Sequence, residues 1–297
     1  MVNDITYISR TFDKMVAQQL KGPTVGMTML PLNTDYSGMG KTSIMGFLYK
    51  NRAGSKIGMN LDHNMADTVD IGGDTLKVPV VMDAVKIPRR TYQAYVDNGI
   101  PLSTDLAFDM LRNNNIKIDD FILNGWAFDA TTYEVKGLNQ IAGTSTTGSV
   151  TSTYGGGLYS IITAISDLES AGVVAPSYDV IMYADNYNEL KASINSTSGR
   201  REITDVYEEL GPGGRVLKAP TSAGYTANTA IVKPAAVETS RQFFELYETV
   251  APMHHAWYVD GNEQTGDIMV EQVWMGVPRF KHVSGGTDVS VAKITGL

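Results

Sequence analysis

Phe12, Met15, Val16 and Leu20 recur at helical spacing, which predicts a short helix over residues 6–20, ended by Lys21-Gly22-Pro23. The pattern then dissolves. Residues 24–75 carry Gly26, Gly38, Gly40, Gly46, Gly54, Gly58, Gly72 and Gly73, with methionines at 27, 29, 39, 45, 59 and 65 and little periodicity. So long a stretch without a pattern is uncommon inside a compact domain unless it has a function of its own. It is read as an extended arm plus a long hairpin that gains its order from other copies of the chain. The alternative is a surface insertion. Residues 76–96 read as strand, with Leu76, Val78, Val80 and Met82 alternating against Lys77, Pro79, Val81 and Asp83. Pro79 and Pro88 lack an N–H to share, which confines this stretch to an edge or a bend.

Residues 103–123 form the clearest helix. Leu106, Met110, Ile118 and Ile122 make one stripe, Ser103 or Thr104 can cap its start, and Gly125 supplies the stop. Asn113-Asn114-Asn115 interrupts the stripe and lowers its propensity. Residues 143–157, rich in Gly, Ser and Thr, read as a linker between two structural units. After them the pattern alternates between helix and strand. A helix carries Leu158, Ile161, Ile162, Ile165 and Leu168 and closes at Gly172. A strand runs from Tyr178 to Ala184. Asp185 can cap a second helix with Tyr187, Leu190 and Ile194, and Glu202 to Leu210 is a third. Arg215 to Ala219 and Thr229 to Lys233 are strands. The last part is β-rich, with candidates at Phe243 to Val250, Ile268 to Met275 and Val277 to Val283, and alternation at Val289, Val291 and Ile294. The sum is an α+β chain with no internal repeat.

Composition narrows the functions available. The hydrophobic share of 43% and charged share of 19% in 297 residues suit one or two folded domains. The net charge of −8, without a Lys/Arg block, argues against a dedicated nucleic-acid binder, which needs a basic face to displace counterions. An acidic wall suits a container better. Without cysteine there is no disulfide, thiolate catalysis or Cys-ligated zinc. Met1-Val2-Asn3-Asp4 does not begin a signal peptide, and no apolar run reaches the roughly 18 residues of a membrane span. A soluble protein made inside the cell is expected.

Candidate chemistry is thin. Gly38-Met39-Gly40-Lys41-Thr42-Ser43 resembles a phosphate-binding loop, but the required first glycine is Asp35, whose charge would oppose phosphate. His254 and His255 are adjacent, so on a strand they face opposite sides and form no metal pair; His63 and His282 stand apart. Asp119-Asp120 and Glu208-Glu209 are neighbours on helices and diverge in direction. Asp260-Gly261-Asn262-Glu263 is a hairpin turn without the spacing of a calcium loop. No catalytic residue, metal site or cofactor is expected.

The order of short motifs over residues 76–297 resembles the Hong Kong 97-type capsid fold and, within it, the encapsulin (linocin-like) branch. Asp97-Asn98-Gly99-Ile100-Pro101 precedes the long helix, and Ile118-Asp119-Asp120-Phe121-Ile122-Leu123-Asn124-Gly125 resembles the acidic end of the family's spine helix. Lys136-Gly137-Leu138-Asn139 follows. Ile161 to Ala171, Pro176, Tyr178-Asp179-Val180-Ile181-Met182, Gly214 to Pro220 and Ala230-Ile231-Val232 resemble the axial domain, and Val277-Pro278 to Ile294 the final peripheral-domain sheet.

The resemblance implies an N-terminal arm over 1–40 and an extended E-loop over 41–80. It implies a peripheral domain over 81–145 and 240–297, with a spine helix at about 103–123, and an α/β axial domain over 146–239. It further implies a virus major capsid protein, not an enzyme, self-assembling as pentamers and hexamers into an icosahedral head. That head would enclose a genome without sequence-specific contact, in a virion capsid made in the host cytoplasm. Scaffold, portal or cement proteins are further partners of such shells, and no membrane is involved. The glycine-rich front, longer than in encapsulins, favours this over the alternative of an encapsulin-like nanocompartment enclosing a cargo enzyme. A soluble α/β hydrolase or binding protein is the reading from a different class. The candidate inter-subunit contacts are Ile44, Met45, Phe47, Leu48, Lys56, Met59 and Met65. Their apolar burial must offset the entropy of ordering the segment, about 1–2 kcal/mol per residue. No motif supports self-crosslinking through Lys56.

Overall fold

The computed structural model describes residues 25–40, 42–50, 71–98, 102–127, 133–141, 144–148, 154–219, 228–236, 241–259, 266–284, 287–288 and 290–297. The helix expected over 6–20 lies outside them. In chain order the elements begin with helix α1 (Val25–Met29), strand β1 (Leu32–Asn33) and the antiparallel hairpin of β2 (Ser43–Lys50) with β3 (Ile71–Lys77). Strand β4 (Val80–Ile87), helix α2 (Arg89–Asp97) and the long helix α3 (Leu102–Asn124) follow, then β5 (Trp126–Ala127), β6 (Tyr133–Val135) and β7 (Thr144–Thr147). The α/β portion comprises α4 (Gly156–Ser170), β8 (Tyr178–Met182), α5 (Ala184–Ala192), α6 (Glu202–Glu209), β9 (Arg215–Lys218) and β10 (Thr229–Pro234). The chain closes with β11 (Phe244–Tyr258), β12 (Ile268–Phe280), β13 (His282–Ser284), β14 (Thr287–Asp288) and β15 (Ala292–Thr295).

Two layered units carry most of the core. In the first, α3 packs on a four-stranded sheet of order β1-β11-β12-β4. Its spine is the antiparallel pair of β11, 15 residues, and β12, 13 residues, which at about 3.4 Å per residue makes a ribbon some 45–50 Å long. The expected break between Met275 and Val277 does not occur, and Pro278 sits within β12. There β12 has run past the end of β4, whose pairing stops at Val80 against Met275, so no described strand needs the missing N–H on that side. Phe121 of α3 meets Trp274 of β12 edge to face, with ring centroids 6.1 Å apart. Gly125 ends α3 in the left-handed conformation at φ 72°, and a Cβ there would lie 2.3 Å from the Val135 carbonyl oxygen.

In the second unit, α4, α5 and α6 accompany a five-stranded sheet of order β7-β15-β10-β8-β9. Strands β8 and β10 are buried along their whole length, as suits strands covered on both faces. Two sequence expectations change here. The stretch read as a linker over 143–157 supplies an edge strand, β7, paired in parallel with β15, and then the first turn of α4. Threonine's β-branched side chain favours extended backbone, which a reading based on low complexity overlooks. The C-terminal strand β15 also belongs to this sheet, paired with β10, and not with the long strands that precede it.

The reading of 76–96 as strand holds only as far as Ile87. Pro88 cannot continue the ladder, its carbonyl accepts the Tyr92 N–H, and Asp267 accepts the Arg89 N–H at 3.0 Å, which starts α2. The α5 N-cap is Tyr183, so Asp185 lies inside the first turn, where its charge still complements the helix dipole. The front segment also departs from expectation. Val25–Asn33 is ordered by its own chain, because Met29 and Leu30 are buried and the Gly26 N–H donates to Asp119 Oδ1 of α3 at 2.7 Å. Strand β1 then pairs in parallel with β11, Leu32 against Leu246. Met29 and Leu30 of this short run find cover inside the subunit while Leu32 stays exposed, a division that the lack of periodicity concealed.

Candidate assembly surfaces

Side chains along a strand point alternately to its two faces, so each strand of the long sheet presents one row to α3 and one row away from it. On β4 the row facing α3 is Val81, Asp83, Val85 and Ile87; on β12 it is Ile268, Val270, Gln272 and Trp274. The opposite row of β4 is Val80, Met82, Ala84 and Lys86, all exposed, with Val80 at 53% and Met82 at 58%. Across the register these residues face Met275, Val273, Glu271 and Met269 of β12, and Met269 in turn faces Trp257 of β11, which is also exposed.

The outcome is an exposed apolar row, Val80 and Met82 of β4 with Trp257 of β11, beside Val273 and Met275 of β12, which are buried at 6% each in the subunit's own core. No described strand pairs with the outer edge of β4. Pro79 and Pro88 bracket that edge, as the sequence predicted, and Lys86 guards one end of it. The sequence alternation sets Leu76, Val78, Val80 and Met82 in one row. The chain leaves the ladder at Val78-Pro79 between β3 and β4, so Val78 is buried while Val80 and Met82 point outward. The signal that could have revealed this is Val81, an apolar residue in the supposedly polar row.

A second apolar surface lies on the outer side of α4. Tyr159, 74% exposed, and Ile162 are one turn apart, and Val174 follows the helix. Two acids of α6, Asp205 and Glu208, are engaged within the subunit. Arg200 pairs with Asp205 and Glu208, and Tyr154 hydrogen-bonds Asp205.

The sequence-predicted contact residues divide three ways. Ile44 is buried at 2% in the chain's own core, at the base of the β2–β3 hairpin. Met45, Phe47 and Leu48 lie on β2, described by its backbone alone. Lys56, Met59 and Met65 lie outside the described residues.

The perturbed ionisable groups are fastenings within the subunit. Asp179 of β8 is fully buried, and Arg215 of β9 grips it through Nη2 at 2.7 Å and Nε at 3.2 Å. Lys233 of β10 approaches Asp179 to 3.4 Å, and the Ala236 N–H donates to it as the chain leaves the sheet. Arg215 also donates to the Thr28 carbonyl of α1 at 3.1 Å, which ties the front segment to the α/β unit. Burial disfavours the Asp179 charge, but the Arg215 hydrogen bonds and the Lys233 charge outweigh it and hold the carboxyl below its ordinary value. Burial pulls the Lys233 ammonium down to about 8 against the attraction of Asp179. Burial lifts the Asp119 carboxyl to about 6, opposed by the Gly26 and Val25 N–H groups. Asp179, Lys233 and Asp119 are all buried, and among the described residues no three His, Cys, Asp or Glu side chains are placed to hold a metal. An open hollow of about 730 Å³ lies over Arg89, Arg90, Gln93 and Asp97, but its acids are engaged: Asp97 with Gln93, and Asp267 with Lys86 and the Arg89 N–H. No described helix is long and apolar enough to cross a membrane.

The architecture has counterparts among solved structures. The capsid of Myoviridae phage XM1 superposes with a TM-score of 0.69 at 16% identity, over 93% of this chain and 92% of that one. The chain has the Hong Kong 97-type capsid fold. A virus-like particle from Pyrococcus furiosus shares this fold, with a TM-score of 0.61 at 11% identity over 96% of this chain and 98% of that one. So does the capsid of an empty GTA particle, at 0.59 and 11% over 92% and 90%. No protein-family model and no curated protein sequence matches the chain. The Hong Kong 97-type topology therefore persists here where sequence identity has all but gone.

Proposed function

We propose that this chain is a shell subunit: a virus major capsid protein that assembles with copies of itself into an icosahedral head enclosing the genome. The observation that carries the reading is the exposed apolar row of Val80, Met82 and Trp257 at the open edge of the long sheet, on a fold whose solved counterparts are capsids and a virus-like particle. A subunit that stayed solitary would expose Val80, Met82 and Trp257 to water, whereas closed symmetry covers the same patch on every copy.

In this reading the β2–β3 hairpin is the E-loop, with Met45, Phe47, Leu48, Lys56, Met59 and Met65 reaching a neighbour and Ile44 anchoring its base. The α3 unit is the peripheral domain. The five-stranded unit is the axial domain, and we extend it to include β7 and β15, so that its outer boundaries fall near 144 and after 290. The axial domains meet in pentamers and hexamers, where Tyr159, Ile162 and Val174 supply apolar contact. The net charge of −8 suits a wall that touches packaged nucleic acid without reading it. The protein acts by assembly and not as an enzyme, is made in the host cytoplasm and ends in the virion capsid. Scaffold, portal or cement proteins are its further partners.

The near-complete mutual coverage with the Pyrococcus furiosus virus-like particle favours a second reading, an encapsulin-like compartment around a cargo enzyme. Electron microscopy of the purified protein separates the two. Closed particles are expected in both, with nucleic acid or a tail marking a virus and an enclosed enzyme marking a compartment. A monomer by light scattering at high concentration overturns both.

A further inference from the structure

The apolar packing of α3 on the long sheet is not continuous. Towards its C-terminal end, Ile118, Phe121 and Ile122 pack with Trp274 and Val81 in the main core. Towards its N-terminal end, Met110 and Leu111 pack with Val270, Ile268 and Val85 in a separate cluster that also holds Ile87, Tyr92 and Tyr258. Every element that crosses from one cluster to the other does so at a polar residue. On α3 it is Asn114, in the stripe between Leu111 and Ile118. On β12 it is Gln272, between Val270 and Trp274, and the strand register sets it directly opposite Asp83 of β4 and His254 of β11. Asp83 in turn separates Val81 from Val85.

Asn114 is 2% exposed and Gln272 0%, and among the described residues the amide nitrogen and oxygen of both meet no hydrogen-bonding group. Trp274, two residues along the same row, has its Nε1 satisfied by Glu248 at 2.8 Å. Buried amides left unpaired are destabilising in the packed state and regain hydrogen bonds when the layer opens. We propose that this polar layer is a parting plane, dividing the helix-on-sheet packing into two separately cooperative bodies. The Met110–Val270 end then opens and repacks while the Trp274 end stays folded. The inference concerns the cooperativity of the subunit and does not depend on the shell reading.

Native-state hydrogen exchange on the full chain tests it. The Val270 amide, on a central strand where helix fraying does not reach, should exchange at least about tenfold faster than the amides of Ile118–Leu123 and Trp274. Filling the layer with apolar groups, in the double substitution Asn114→Leu and Gln272→Leu, should slow the Val270 end until the two ends exchange together. Val270→Ala should accelerate exchange in the Met110–Val270 body alone, and this variant decides the matter if the double substitution does not fold. Equal exchange at both ends of the parent overturns the proposal. So does acceleration of both ends alike by Val270→Ala, or a double variant whose Val270 end exchanges as fast as the parent's.

Discussion

Strands β8 and β10 of the five-stranded sheet are buried from end to end, whereas β4 of the long sheet exposes every second residue, Val80 and Met82 among them. Both regions are rich in Val, Ile and Met, so composition does not separate them. What differs is cover. The five-stranded sheet is accompanied by its own helices and riveted through Asp179, while the long sheet has α3 on one face and on the other leaves Val80, Met82 and Trp257 exposed. A self-contained unit and an unfinished one share a chain, and the unfinished one is where other copies of a shell subunit would attach.

The comparison predicts that the ionic rivet is the costliest point to break. Asp179→Ala removes the partner of a fully buried Lys233 and of Arg215. Leaving a buried charge uncompensated typically costs about 3–5 kcal/mol, so denaturant unfolding of the variant should shift by that amount. A loss below 1 kcal/mol, within the usual range for an exposed pair, would mean that the hub is not sealed from water and that the contrast between the two sheets is weaker than drawn.

The next effect lies in the front segment and depends on pH. Asp119 binds a proton more tightly in the folded chain, at about 6, than at its ordinary 3.8. Folding therefore takes up a proton between these values. The contribution is most favourable below about pH 4, falls as pH rises through 6, and is lost above it, by roughly 3 kcal/mol at most. Asp119→Asn keeps an acceptor oxygen for the Gly26 N–H and cannot ionise. Its stability advantage over the parent should grow from pH 4 to pH 7, read as the difference between two urea titration series; a difference that stays flat with pH would sink the assignment.

A smaller loss is expected at the end of α3. Gly125→Ala places a side chain at φ 72° and drives Cβ against the Val135 carbonyl. About 1–3 kcal/mol should be lost in thermal unfolding, and an unchanged midpoint would show that the backbone at Val135–Gly137 yields easily.

The sequence disclosed those parts of the fold in which one residue type has one meaning. The stripe Met110, Ile118, Ile122 and the stop at Gly125 located α3 within a residue or two, because helical spacing and a left-handed glycine admit few alternatives. The strands β8 and β10 announced themselves as apolar runs. The linker reading of 143–157 failed because β7 is an edge strand held by register with β15, some 150 residues away, which no local pattern encodes. The candidate surface was harder still. Val80 and Met82 look like core residues, and only the break at Val78-Pro79 and the side of β4 that α3 occupies turn them outward. The glycine- and methionine-rich front drew attention to Ile44, which is already covered, and away from β4. Interfaces between copies are made of the same residues as cores, so periodicity cannot distinguish them.

That ambiguity leads to the smallest expected change in stability, and the one that tests the comparison most directly. Val80→Ser with Met82→Ser exchanges two exposed side chains on an edge strand for small polar ones. In the isolated subunit little packing is lost, so unfolding should move by no more than about 0.5–1 kcal/mol, despite serine's weaker preference for strands. On the proposed function the same side chains are covered by a neighbouring copy, where burying unpaired hydroxyls is unfavourable and the apolar contribution of about 25 cal/mol per Å² disappears. If the proposed function holds, repetition of that loss on every copy of a closed particle should leave sedimentation dominated by small oligomers at concentrations where the parent assembles. The matching change in the other sheet, Ile181→Ala, should do the reverse, lowering subunit stability by about 2–5 kcal/mol while the molecules that remain folded still assemble. If instead the β4 substitutions destabilise the subunit as much as the β8 one, the open face is part of the core after all, and the distinction between a finished and an unfinished sheet fails.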